Sequence, residues 1–240
     1  MNAEETSARE MGVFSRITGI FTSPRETFGS IDQKPTWLVP FLIVVIIAIV
    51  LNFLALDIGM KYQIAKMEAK EMSAEQIDNM QSRMEGPLKY VQIVAIPVVT
   101  LILWVILAGI LLFCGNTIMG GESTFKKVYS IVAWSSLVTM VGAILKTFLI
   151  LSKGTVHGVT ISLAILLPTP ELGESTPILY RLLSKFDPFT IWELILWIIG
   201  LAVVYRFTTK KSATLVLFLW AIWIVISVAL GSVLGGMFGG

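Results

Sequence analysis

The sequence predicts an all-α membrane protein with five transmembrane helices, an N-terminal interfacial amphipathic helix and an external helical hairpin between spans one and two. Two observations lead to this fold class. Hydrophobic residues occupy 55% of the 240 positions and charged residues only 14%, with a mean hydropathy of +0.83, whereas a soluble domain carries about 25% charged residues. Five apolar stretches are also long enough to cross a bilayer, which takes about 20 residues. The lipid bilayer is therefore the expected surroundings of most of the chain.

The five predicted spans are residues 37–56, 90–119, 128–150, 189–205 and 213–233. The second is longer than a bilayer requires, so we expect it to tilt, to protrude or to bend at Pro97. The fourth is the shortest, and we expect its helix to begin before the apolar run, near Lys185. These spans divide the chain into an N-terminal cytoplasmic or interfacial segment, residues 1–36, and a membrane domain, residues 37–240.

Two short helices are predicted before span one. Five apolar side chains share one face of the first helix, which is the pattern of a helix that lies on a membrane surface; they are Val13, Phe14, Ile17, Ile20 and Phe21. The second helix is predicted to begin with a capping box, in which Ser23 is the N-cap, Pro24 follows at N1 and Glu26 stands at N3.

Residues 60–88, between spans one and two, predict the external helical hairpin. Ser73 and Gln76 form a second capping box at its break. Five of the ten methionines fall here, at 60, 67, 72, 80 and 84, and thioether sulfur suits Cu(I). Methionine also fills the apolar side of amphipathic helices. Because no His or Cys is nearby, we interpret these residues as filler and expect no metal site and no cofactor.

The basic residues next to the spans predict the orientation. Nine of them stand in short segments before span one and in the loops between spans two and three and between spans four and five: Arg9, Arg16, Arg25, Lys34, Lys126, Lys127, Arg206, Lys210 and Lys211. Short basic loops remain on the cytoplasmic side. We therefore expect a cytoplasmic N-terminus and, with five spans, a C-terminus outside the cell (inner) membrane.

The sequence lacks the motifs of the common enzyme and nucleic-acid-binding classes. His157 is the single histidine and Cys114 the single cysteine, which excludes H-E-x-x-H, and no Walker-type or G-x-G-x-x-G loop occurs. The net charge is only +2 and no basic run exceeds two residues, so nucleic acid is not an expected partner. We expect a protein that is not an enzyme.

A few polar and small residues inside the spans are the candidate site residues. Lys146 and Glu193 should lie at similar depth if spans three and four are antiparallel, and we expect an intramembrane charge pair, which offsets the cost of two buried charges. The alternative is that each charge reaches interfacial water separately. Asn52 and Asn116 are in-membrane hydrogen-bonding candidates. Three small residues spaced by four, Gly231, Gly235 and Gly239, predict a helix–helix contact and a homo-oligomer.

Two stretches resemble landmarks of the Yip domain, the Ypt/Rab-interacting family of integral membrane proteins, in its prokaryotic form. The first is "IFTSPRETFGSIDQKPTWLVPFLIVV" at 20–45, and the second is "FDPFTIWELILWIIGLAVVYRFTTKKS" at 186–212. The positions that carry the resemblance are Phe21, Pro24, Phe28, Pro35, Trp37, Asp187, Trp192, Leu196, Gly200, Lys210 and Lys211.

The resemblance implies a five-span protein with a cytosolic N-terminus. It also implies a non-enzymatic membrane organiser or adaptor, since eukaryotic members resemble adaptors for prenylated Rab GTPases. A protein partner is therefore expected in addition to the bilayer. The alternative hypothesis is a small transporter or channel with a polar path around Lys146, Glu193 and Asn52, although five spans do not divide into the equal repeats typical of transporters.

Overall fold

The computed structural model describes residues 11–85 and 88–237. Its α-helices are α1 (Val13–Thr22), α2 (Pro24–Gln33), α3 (Leu38–Glu68), α4 (Ala74–Glu85), α5 (Leu88–Phe113), α6 (Phe125–Lys153), α7 (Ile178–Leu183), α8 (Pro188–Tyr205) and α9 (Thr209–Met237). A π-helix, Cys114–Ile118, extends α5, and a 3₁₀ turn lies at Leu163–Leu166. All regular structure in these residues is helical, so the predicted all-α fold class is confirmed.

Five helices of the described chain are long and apolar enough to span a membrane: Leu38–Glu68, Ile93–Ile118, Phe125–Lys153, Pro188–Tyr205 and Thr209–Gly231. They coincide with the five predicted spans. Of the apolar window of α6, 67% is buried, against 17% in α3 and 11% in α5. The third span is therefore the most buried of these three, while α3 and α5 leave most of their apolar surface exposed.

The described chain divides into two compact units. The first takes its residues from Met1–Val44, Thr100–Thr139 and Trp192–Leu219, and the second from Val45–Val99, Met140–Ile191 and Trp220–Gly240. The largest fully buried side chains lie in the first unit, among them Trp134, Phe28 and Leu196. The first unit is therefore the better packed of the two.

The N-terminal helices form as predicted, with one correction. Ser23 is the N-cap of α2 and Pro24 stands at N1, but the Ser23 side chain makes no capping hydrogen bond, so the predicted capping box is wrong. Ser23 also ends α1, where its N–H bonds Gly19 O, and its φ of −144° and ψ of 63° differ from the extended conformation typical of an N-cap. Arg16, Gly19 and Ile20 of α1 are buried in the protein, and the placement of α1 on the membrane surface stays a prediction.

The segment between spans one and two shows the predicted break. Ser73 N–H donates to Gln76 Oε1 at 3.1 Å, and Gln76 N–H donates to Ser73 Oγ at 3.3 Å, so this capping box is confirmed. The arm before the break is the end of α3 itself, which continues without interruption to Glu68. Residues 86–87, at the end of the predicted hairpin, lie outside the described residues, as do residues 1–10 and 238–240.

Span four begins at Pro188 rather than near Lys185. Asp187 stops the extension because its carboxylate caps the new helix: Oδ1 accepts from Phe189 N–H at 3.0 Å and from Thr190 N–H at 2.9 Å, and Oδ2 accepts from the Thr190 hydroxyl. An acidic N-cap satisfies backbone donors that a helix start leaves open. The preceding residues form the short helix α7 instead.

Candidate functional site

A buried arginine holds together the parts of the N-terminal platform, which we define as α1, α2 and residues 34–37. The Arg16 side chain is 5% exposed. One guanidinium nitrogen donates to Lys34 O at 3.1 Å and Thr36 Oγ1 at 2.9 Å, and the other donates to Ser30 O at 3.1 Å and Ser30 Oγ at 3.0 Å. Because a buried charge is costly without such donors and acceptors, these bonds tie α1 to the end of α2 and to the start of span one.

Polar contacts join the platform to span three. Lys127 Nζ lies 2.6 Å from Asp32 Oδ1, and the two side chains are 32% and 15% exposed. Two turns further along α6, the Trp134 indole N–H donates to Thr36 O at 2.7 Å. The Trp134 ring is almost fully buried. The turn between α2 and α3 is thus fixed to the central helix of the bundle.

Apolar contacts join the platform to span four. The Phe28 side chain is completely buried, and its ring reaches Gly200 of α8, where an added Cβ would lie 3.3 Å from Phe28 Cδ1 and 2.7 Å from Ile131 Cγ2. Phe21 meets Trp192 edge to face, with ring centroids 5.7 Å apart. Four residues of the resemblance therefore meet in one interface: Phe21, Phe28, Trp192 and Gly200.

Aromatic rings close the space beneath the platform. Trp37 lies edge-on to Tyr129, with centroids 5.5 Å apart, and Phe41 and Trp104 continue the cluster at 6.0 Å. Edge-to-face pairs stabilise beyond their buried area, by about 0.5–1.5 kcal/mol each. Trp37 belongs to the first landmark of the resemblance, and its role here is to lock the start of span one against span three.

The second landmark ends in a tight turn between spans four and five. Arg206 takes a left-handed φ of 54°, and the Lys211 ammonium stands 4.1 Å from the Phe207 ring centroid. The Tyr205 ring lies against Gly115 in the π-helix, where an added Cβ would be 2.5 Å away. π-Helices frequently mark functional sites, and here the wider turn lets the tyrosine approach the backbone of span two.

The platform also presents an exposed surface. Phe14 is 77% exposed and Val13 is 50% exposed, although both are apolar. Five cationic and two acidic side chains of the first unit are exposed as well: Arg25, Lys34, Lys126, Arg206 and Lys210, with Glu26 and Glu122. Within the described residues no three His, Cys, Asp or Glu side chains lie close enough to hold a metal ion. The exposed surface of this unit therefore includes apolar side chains of α1 and more basic than acidic side chains.

The charged candidates from the sequence occupy different units. Lys146 is exposed on α6 in the second unit, and Glu193 is half-buried on α8 in the first. Their pairing stays a prediction. Asn52 is half-buried in α3. Asn116 lies in the π-helix, where Nδ2 donates to Ser123 O at 3.2 Å, so its amide ties the end of span two to the following loop.

Gly231 and Gly235 both lie in α9, and Gly239 lies outside the described residues. A Cβ on Gly231 would stand 3.4 Å from Arg181 Nη1. The Arg181 side chain therefore already covers this glycine within the chain. The predicted association of α9 is otherwise untested.

The fold and the platform define an integral membrane protein of five spans with its N-terminal segment packed against spans three and four. The sequence model of the Yip1 domain matches residues 18–231, and the chain belongs to this family. Membrane protein YknW of Bacillus subtilis (strain 168) is 26% identical over 224 residues, 90% of this chain and 89% of that protein. No solved structure matches significantly. The family assignment made from the two landmarks is confirmed, and the Bacillus relative agrees with a prokaryotic member.

Sequence reasoning missed the residues that anchor the platform. Arg16 was counted only as a basic residue next to the membrane, and neither the Asp32–Lys127 ion pair nor Trp134 was singled out. A signal for Arg16 existed: it stands four residues before Ile20, on the same helical face. A cation on the apolar face of a helix indicates a buried hydrogen-bonding role, and the acceptors, Ser30 and Thr36, follow within 20 residues.

Proposed function

We propose that this protein is a non-enzymatic organiser or adaptor of the cell membrane, with the N-terminal platform and both basic loops on the cytoplasmic side. The observation that carries the proposal is the anchoring of the platform. Asp32 and Phe28 fix α2 to spans three and four, and Arg16 ties α1 to α2. A segment that only led into the membrane would not need a buried guanidinium with four hydrogen bonds.

The exposed side of the platform supports contact with the bilayer surface. Phe14 and Val13 project from α1 with cationic side chains elsewhere on the same unit, and apolar residues with basic neighbours favour an anionic membrane interface. A nitroxide at position 14, in a Cys114→Ala background, should collide more often with lipid-soluble oxygen than with a water-soluble nickel reagent. The opposite preference would place α1 in water.

The adaptor proposal is tested by photo-crosslinking in intact cells. A benzophenone amino acid at Arg25, exposed on α2, should give a discrete adduct with a protein partner. The matched position is Phe218, which is 63% exposed on α9. The Arg25 adduct should disappear when Arg16→Leu separates α1 from α2 while the protein remains in the membrane. The same adducts from positions 25 and 218, or an adduct insensitive to Arg16→Leu, would contradict the proposal.

Self-association through α9 is part of the proposed function. Arg181 lies against Gly231, so the contact between copies should depend on Gly235 and Gly239. Gly235→Leu should shift the purified protein toward the monomer in native mass spectrometry, because a large side chain prevents close helix approach. Val225→Leu, at an exposed position of the same helix, is the control. Equal mass distributions for the two variants would show that the glycines do not form the interface between copies.

A further inference from the structure

A cavity of about 180 Å³ lies in the second unit, between the end of α3, the loop after α6 and the start of α7. Six ionisable side chains line it: Tyr62, Lys66, His157, Glu171, Glu174 and Tyr180. Lys66 follows Tyr62 by four residues, so the two share one face of α3. The other four come from the residues between spans three and four.

The walls of this cavity are built by close backbone packing. Gly173 has φ of +90°, and a Cβ there would stand 2.5 Å from Ala69 O, just past the end of α3. Gly158 has φ of +70°, and a Cβ there would meet Thr169 Oγ1 at 3.2 Å. Both positions need glycine because L side chains rarely adopt these angles. The two loops are thereby set against each other and against α3.

Contacts with the surrounding loops and with α3 hold His157 in the cavity wall. His157 Nε2 lies 3.1 Å from Pro170 O, and a carbonyl only accepts, so Nε2 carries the proton. Its ring centroid is 6.4 Å from that of Tyr62. The imidazole therefore joins the loop after α6 to the loop before α7, and the cavity keeps its shape without a ligand.

Charges of both signs line the cavity without neutralising each other. Among the described residues, neither Lys66 nor Glu171 nor Glu174 forms an ion pair within 4 Å. Lysine binds phosphate as a point charge, and two carboxylates suit a primary ammonium, which donates three hydrogen bonds. The lining is therefore complementary to a ligand that carries a phosphate and an ammonium together.

The volume limits the size of that ligand. A cavity of about 150 Å³ takes a molecule of roughly six non-hydrogen atoms, such as benzene. At about 180 Å³, this cavity takes roughly seven by the same scale. A phosphoethanolamine group has about that many, whereas a phosphocholine group is larger by three methyl carbons.

Exposed apolar residues on the neighbouring elements indicate that the ligand comes from the bilayer. Ile165 and Leu166 in the 3₁₀ turn are 68% and 76% exposed, and Ile178 at the start of α7 is 64% exposed. The two elements are joined where Leu163 N–H donates to Phe186 O at 2.9 Å. Side chains of this kind favour the acyl region, so the elements around the cavity meet lipid.

We propose that this cavity binds the phosphoethanolamine headgroup of a membrane phospholipid, with Lys66 on the phosphate and Glu171 and Glu174 on the ammonium. The purified protein is exchanged into detergent with equal amounts of phosphatidylethanolamine, phosphatidylglycerol and phosphatidylcholine. Bound lipid is then read by native mass spectrometry. Phosphatidylethanolamine should be retained over both others by about tenfold, the factor of one charge-assisted hydrogen bond. Equal retention, or a preference for either other lipid, would overturn the proposal.

Charge variants test which side chains bind the phosphate and which bind the ammonium of the ligand. Lys66→Gln should lower phosphatidylethanolamine retention about tenfold, whereas Lys61→Gln, on α3 but outside the cavity lining, should leave it unchanged. The double variant Glu171→Gln and Glu174→Gln should remove the preference over phosphatidylglycerol. Equal losses in the Lys66 and Lys61 variants would refute the phosphate site, and an unchanged preference in the double variant would refute the ammonium site.

Soluble glycerophosphoethanolamine distinguishes the lipid from its free headgroup. At a concentration equal to the lipid it should leave phosphatidylethanolamine bound, because it lacks the acyl chains that contact the exposed apolar residues. Displacement would reassign the cavity to a soluble ligand and contradict the lipid assignment. All variants lie at exposed positions, and their unfolding midpoints should match that of the unmodified protein.

Discussion

Replacing Arg16 with leucine should release α1 from the end of α2 and from the residues that lead into span one. The guanidinium makes four hydrogen bonds at 2.9–3.1 Å, and its side chain is 5% exposed. A net hydrogen bond to a charged group contributes about 1.5–3 kcal/mol. The four bonds act as one unit and do not add, and leucine restores some apolar packing. We expect a loss of about 3–4 kcal/mol of platform stability, the range found when one partner of a buried polar network is removed.

Hydrogen–deuterium exchange of peptides covering residues 11–36 measures this loss directly, because local opening exposes the amides of α1 and α2. A loss of about 3 kcal/mol should accelerate exchange by more than about 100-fold, since 1.4 kcal/mol is a factor of ten. Arg25→Leu is the matched control, because Arg25 is an exposed arginine on α2 and surface changes stay within about 0.5 kcal/mol. Exchange that agrees within about twofold between the two variants would refute the anchoring role of Arg16.

Three further changes test packing, capping and charge. Gly200→Ala should destabilise by about 1–3 kcal/mol through overpacking, because its Cβ would stand 2.7 Å from a neighbouring side chain; Gly109→Ala, with nothing within 4 Å, should be neutral or slightly stabilising in thermal unfolding. Asp187→Ala should cost about 0.5–2 kcal/mol as a lost N-cap, and Asp187→Asn should recover part of it; equal midpoints would contradict the cap. Glu193→Gln and Lys146→Met should each destabilise the protein, and the double variant should lose less stability than the sum of the two single losses. Strictly additive losses would show that the two charges do not interact.

The five spans could be read from the sequence because each is an apolar run whose length the bilayer sets. Helix ends were harder to predict than the spans. Ser73 caps α4 as predicted, since no helix runs into it directly, whereas Ser23 ends α1 as well as starting α2 and cannot adopt a capping conformation. The start of α8 was misplaced for a related reason: Asp187 caps the helix through its own side chain, and hydropathy does not detect a cap.

The candidate sites depend on contacts between distant residues, and the sequence alone could not supply them. Phe21, Phe28 and Gly200 were identified through the family resemblance, but their shared interface follows only from the packing of α1 and α2 on α8. Residues 152–187 lie between the third and fourth predicted spans. Their backbone is set by glycines with positive φ and by the contact of His157 with Pro170 O, so the cavity could not be predicted.

The orientation of the first unit tests the proposed cytoplasmic platform most directly. Position 125 begins α6 beside the platform residue Asp32, which binds Lys127, and position 75 lies on α4 between spans one and two. Single cysteines at these positions, in a Cys114→Ala background, are treated in intact cells with a thiol reagent that does not cross membranes. The account predicts that the reagent labels position 75 and leaves position 125 unlabelled until the cells are opened. Labelling of position 125 in intact cells, with position 75 protected, would contradict it.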